Sequence, residues 1–101
     1  MDINVSRSGS VASLSMKGKF DIQARTSFKN AYTPLLDDQG ITTLDIILAE
    51  VDHMDSSALG MLLLLLDRAQ AVGKEVILSK ANSTVTKIFD IASFEKLFTI
   101  R

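Results

Sequence analysis

Polarity alternates from Ile3 to Ser6 and again from Val11 to Met16, the period-two pattern of strands that bury one face. Arg7-Ser8-Gly9-Ser10 between them is turn-forming, so the chain is predicted to open with a β-hairpin whose second strand ends at Gly18. Then the period changes. Asp21 is placed to cap a helix in which Ala24, Phe28, Ala31, Tyr32 and Leu35 recur at helical spacing, ending near Asp38. Pro34 falls inside that pattern, where the missing N–H and the crowded ring cost about 3 kcal/mol, which predicts a kink or early break. Gly40 closes the unit.

Leu44 to Leu48 is apolar on both faces and too short for a helix, which suits a central strand with Asp52 to Asp55 as its exit loop. Ser56 to Val72 predicts a second helix closed by Gly73, and Val76 to Ser79 a further strand. A third helix is expected from about Ser83 to Ile91, carrying Val85, Ile88 and Phe89. Leu97-Phe98-Thr99-Ile100 fits either a short helix or a final edge strand. Strands separated by helices of this length pair in parallel through right-handed crossovers, while the hairpin adds an antiparallel side. The expected fold class is α/β, a mixed sheet with helices packed against it.

Composition narrows the picture. With 101 residues, 47% of them apolar, the chain can bury one core, and a single domain over residues 1–101 is expected. Eleven basic and twelve acidic residues nearly cancel, so neither nucleic acid nor a membrane surface is the expected partner. Cysteine is absent, which removes disulfides and thiolate sites and fits a cytoplasmic location. The longest apolar run, Met61 to Leu66, is far short of the about 20 residues that cross a bilayer, and Met1-Asp2-Ile3-Asn4-Val5 carries no signal pattern. Neither secretion nor membrane insertion is expected.

The informative stretch is His53-Met54-Asp55-Ser56-Ser57-Ala58-Leu59-Gly60, which concentrates polar groups between a buried strand and an almost wholly apolar helix. Ser56 is placed as the N-cap of that helix, its hydroxyl accepting a first-turn amide for about 1 kcal/mol. A hydroxyl at a helix N-terminus is also a good place for a phosphate, since free amides and the macrodipole stabilise the added charge. The two roles are compatible. His53, the only histidine, gives no metal-ligand set without a cysteine or second histidine, and no cofactor is expected. A hydrolase using Ser56 or Ser57 with His53 as base would lack an orienting third group and a Gly-rich elbow, so no enzyme activity is expected. Phe28 and Tyr32 read as core, and Asp37-Asp38 and Asp52 to Asp55 as solvated loop charges.

On a helical wheel Leu59, Leu62, Leu63 and Leu66 fall on one side, assigned to the sheet, and Met61, Leu64 and Arg68 on the other. Met61 and Leu64 are either covered by a neighbouring element or form a partner-docking patch rimmed by Arg68.

The run Met54-Asp55-Ser56-Ser57-Ala58-Leu59-Gly60 closely resembles the phosphorylation motif of bacterial anti-sigma factor antagonists, members of the STAS domain family, which usually reads Met-Asp-Ser-Ser/Thr-Gly-Leu-Gly. Gly18-Lys19-Phe20-Asp21 is similar to the family's Gly-Glu-Leu-Asp segment, and Ile88-Phe89-Asp90-Ile91 to its Leu-Phe-Asp-Ile segment. The resemblance implies a STAS-like mixed sheet of four to five strands. It also implies a switch in which the unphosphorylated protein binds an anti-sigma factor or similar regulator. A serine kinase, often that same regulator, phosphorylates the first serine after the aspartate, and a metal-dependent phosphatase reverses it. Carried over by position, Ser56 is the phosphoacceptor, flanked by Asp21 and Asp55, with His53 and Ser57 beside it. Lys19 stands where the family has an acidic residue, Ala58 replaces a glycine, and Ala92 stands where glycine is common after the third helix. Ala58 should favour the helix by up to about 1 kcal/mol. These departures bear on which partner is bound. The alternative is a ligand-sensing or regulatory STAS module without a phosphoswitch, either binding a small ligand or serving as a regulatory fragment of a larger assembly, and its mark would be a roomy apolar pocket.

Overall fold

A computed structural model describes residues 1–101 as a five-stranded mixed sheet with three helices. Strands β1 (Asp2–Ser8) and β2 (Val11–Phe20) form the antiparallel hairpin. A 3-10 turn, Ile22–Ala24, leads into α1 (Arg25–Asp37), followed by β3 (Thr43–Met54), α2 (Ser56–Ala71) and β4 (Glu75–Ser79). The chain ends with α3 (Ser83–Ile91), a second 3-10 turn (Phe94–Lys96) and β5 (Thr99–Ile100). Spatial order follows chain order, and β2 through β5 run parallel, each pair joined by a helical crossover.

Alternation decides which face is covered. Ala12, Leu14 and Met16 of β2, Leu44, Ile46 and Leu48 of β3, and Val76 and Leu78 of β4 are all at most 2% exposed. They join Phe28 and Tyr32 of α1, Leu62 and Leu65 of α2, and Val85 and Phe89 of α3 in one core. The intervening Ser13, Ser15, Lys17 and Asp45 face the other way, half-buried or exposed. Two aromatic chains tie the layers together. Phe20 meets Phe28 edge-on at 5.2 Å and Phe28 meets Tyr32 at 5.2 Å, binding β2 to α1. Phe89, Phe94 and Phe98 stack at 5.3 and 5.0 Å and anchor the C-terminal segment on α3.

Several boundaries differ from expectation for local reasons. β2 does not end at Gly18; the strand runs on to Phe20, and Gly18 sits at φ +104°, open to glycine alone, beside a register irregularity. β3 continues to Met54 because β2 extends alongside it, pairing Lys19 with His53 and Phe20 with Met54, so Asp52 and His53 are strand residues and not an exit loop. Asp21 caps the 3-10 turn, its Oδ1 accepting from Gln23 N at 3.0 Å, and α1 follows that turn. Pro34 does not break α1. It and Asn30, whose carbonyl loses its helical donor, both face solvent, so water can serve that carbonyl. The C-terminal tail is the edge strand β5.

One buried cation stabilises the end opposite the serine-bearing loop. Lys74 packs under the α1–β3 connection, and its Nζ donates to Asp38 O at 2.7 Å and to Ile41 O. These carbonyls lie just past the C-terminus of α1, where the macrodipole favours positive charge.

Ala92 lies in ordinary helical conformation, φ −84°, and needs no glycine. The left-handed residue after α3 is Ser93, at φ 56°, ψ 38°. Ser93→Gly should therefore raise stability by up to about 1 kcal/mol once relieved strain is set against the freer unfolded chain. Urea denaturation checks this; an unchanged or lowered midpoint would contradict the strain.

Candidate functional site

Phe20 and Met54 are register partners at the ends of parallel strands, so the residues that follow them, Asp21 and Asp55, leave the sheet side by side. Each caps the helical segment that follows it. Lys19, Asp21, His53, Asp55, Ser56 and Ser57 thus gather at the carboxyl end of the parallel strands, where binding sites of such sheets form.

The cap of α2 is Asp55 and not Ser56. Its backbone is extended, and Oδ1 accepts from Ser57 N at 3.1 Å, from Ala58 N at 3.2 Å and from the Ser57 hydroxyl at 2.5 Å. Aspartate and serine cap almost equally well by propensity, but a carboxylate also carries charge to the positive helix end. Ser56 is therefore the first helical residue, exposed, and its hydroxyl is not needed by the cap. Ser57 is half-buried and its hydroxyl proton is given to Asp55, not to His53. The hydrogen bond from Ser57, helped by the amides of Ala58 and Ser57 and by His53, holds the Asp55 carboxyl below its ordinary value, with burial pushing partly the other way.

The buried stripe of α2 is Ala58, Met61, Leu62, Leu65 and Ala69. It is rotated by about one residue, roughly 100°, from the predicted stripe. Leu63, assigned to the sheet, is 40% exposed, and Met61, offered as a docking residue, is 9% exposed. The reason is α1: Met61 packs between the sheet layer and α1, lining a cleft with Phe28 and Tyr32. Leu64 remains outward at 42% exposure, and Arg68 is half-buried with Nη1 donating to the Tyr32 hydroxyl at 3.2 Å. Ser56, Gly60, Leu63 and Leu64 share the outer face of α2. Ile22, beside Asp21, is 58% exposed, an apolar residue at this end that helical periodicity gave no reason to single out.

The family model for the STAS domain matches residues 2–101. The chain belongs to the STAS domain family. A STAS-domain containing protein of Pseudomonas aeruginosa is 36% identical over 95 residues, covering 94% of this chain and 92% of that one. Among solved structures, the anti-sigma factor antagonist SpoIIAA in its unphosphorylated form superposes with a TM-score of 0.82 at 19% identity, over 99% of this chain and 88% of the other. The STAS domain of a SulP transporter from Vibrio cholerae superposes at 0.74 with 21% identity, over 95% and 77%. At these identities the superpositions show a shared fold.

Within this STAS domain no group of three or more histidine, cysteine or carboxylate side chains could hold a metal, and no helix is long and apolar enough to cross a membrane. The larger hollows, about 490 Å³ along β1 and β2 and about 470 Å³ beside Lys74, are open to solvent, and only three of the eight residues lining each are hydrophobic.

The depressed Asp55 pKa gives a pH dependence with a definite sign. The folded value lies below the ordinary 3.8, so the cap's contribution is whole above that value and is lost as pH falls through the lowered one. The stability advantage of the wild type over Asp55→Asn should shrink as pH falls below about 4. Urea midpoints of both proteins across pH check it; an advantage that persists undiminished into acid would contradict it. The α2 faces separate under a second pair. Met61→Lys should cost about 2 kcal/mol or more by burying an unpaired charge, and Leu63→Lys within about 0.5 kcal/mol. Equal losses would mean the stripe is misplaced.

Proposed function

We propose that this STAS domain is an anti-sigma factor antagonist or close functional relative, working by partner switching. Its unphosphorylated form binds an anti-sigma factor or serine kinase regulator. Phosphorylation of Ser56 ends that binding, and a metal-dependent serine phosphatase restores it.

The observation that carries this reading is the division of labour between the two adjacent serines. Asp55 caps the helix and takes the Ser57 hydroxyl, which leaves Ser56 with a solvent-facing hydroxyl and no structural duty. A kinase can take that hydroxyl without dismantling the cap. The new phosphate sits at a helix N-terminus, where negative charge is tolerated, so the domain stays folded. It also sits at the head of the outer face of α2, with Ile22 close to the same end, so a partner packed there would have to desolvate a dianion. The two larger hollows are open to solvent and give the ligand-sensing alternative no comparable support.

Ser56→Glu should melt within about 3 °C of the wild type, yet bind the regulator at least about tenfold more weakly, while Ser56→Ala binds and resists switching. Ser57→Ala should still be phosphorylated, at Ser56. Titration of the regulator against unmodified and verified Ser56-phosphorylated protein decides it, with phosphopeptide mapping of the modified residue. Equal affinities, or modification at Ser57, would overturn the switch.

A further inference from the structure

Between α1 and α2 lies a cleft of about 50 Å³ floored by the buried Phe28, Tyr32 and Met61 and flanked by the exposed Leu64. Its remaining lining is entirely cationic. Arg25 and Lys29 stand one helical turn apart on α1, and Arg68 faces them from α2. None is paired with a carboxylate: the ion pairs of the chain are Arg7 with Asp38 and Lys17 with Glu50. Arg68 is held in place by its hydrogen bond to the Tyr32 hydroxyl, which positions the guanidinium without neutralising it. The whole chain has a net charge of −1, so three unpaired cations around one apolar cleft are a local concentration and not a reflection of composition. Like charges one turn apart on a helix repel, a cost that an external anion would remove.

We propose that this cleft docks an acidic amphipathic helix of the partner protein. One aliphatic side chain enters the cleft, whose volume suits the tip of a single such group. Carboxylates one turn apart on the incoming helix meet Arg25 and Lys29, whose own spacing is one turn, and another reaches Arg68. The proposal rests on the partner-switching reading for what carries the helix, and it adds the chemistry that selects it.

The probe is a synthetic amphipathic helical peptide with leucines on one face and glutamates flanking them, titrated into the purified protein at physiological salt and followed by amide NMR shifts. A counterpart has glutamine for every glutamate. The glutamate peptide should perturb the amides of Arg25, Phe28, Lys29 and Leu64 and bind at least about fivefold more tightly than the glutamine peptide. The double variant Arg25→Gln/Lys29→Gln, which alters exposed residues and should stay folded, should lose that fivefold, and Lys87→Gln on α3 should not. The peptide titration uses unphosphorylated protein with Ser56 intact and reads the cleft alone, whereas the phosphoswitch is read by comparing unmodified and Ser56-phosphorylated protein against the regulator, so a failed phosphoswitch and a failed cleft give different results. No shift in the cleft, equal binding of the two peptides, or an unaffected double variant would overturn the proposal. So would tighter binding to anionic phospholipid vesicles than to the peptide, lost in the same double variant, which would make the cleft a lipid-facing surface.

Discussion

The parallel pairing of β2 with β3 is the constraint on which the rest of the structure depends. Its inner residues, Leu14, Leu44, Ile46 and Leu48, have no exposed surface, so the register that buries them cannot slip by one residue without turning the whole row to solvent. Parallel pairing also requires the crossover that α1 supplies, and α1 in turn walls the side of α2. Carried to its end, the same register sets Phe20 against Met54 and releases Asp21 and Asp55 from the sheet together. The site is a consequence of two strands stopping side by side.

At that point a single carboxylate decides which serine is available. The Asp55 oxygen gathers two amides and the Ser57 hydroxyl, a set that lowers its own pKa and commits Ser57 to the interior of the motif. Had Ser56 been the cap, its hydroxyl would have been spent on the helix, and modification would have cost the fold a hydrogen bond. With aspartate as the cap, the helix end is satisfied by Asp55 and Ser57, and the Ser56 hydroxyl is left out of it.

Helix α2 is the element whose role changes most between pattern and packing. From Met61 to Leu66 every residue is apolar, so the periodicity contains no polar positions to mark the outer face. What fixes the rotation is the presence of two neighbours, the sheet beneath and α1 beside, whose joint surface swallows Met61 and leaves Leu63 out. The outward leucines and the cationic cleft are therefore products of one packing decision.

The sequence by itself determined the elements, their order and the mixed sheet, because hydrophobic period and turn chemistry are local and the chain obeys them almost throughout. The third helix falls on Ser83–Ile91 as its pattern requires, and the serine motif was legible as the polar joint between a buried strand and an apolar helix. Tertiary structure alone decided what depends on neighbours distant in the chain. β3 reaches Met54 because β2 lies beside it, and Met61 is core because α1 covers it. Asp55 takes the cap because β3 delivers it extended at the helix mouth, and Ser93 takes the left-handed turn so that Phe94 can stack back on Phe89, with Phe98 on Phe94. Local patterns state which surface must be buried, and only the assembled fold supplies the surface that buries it.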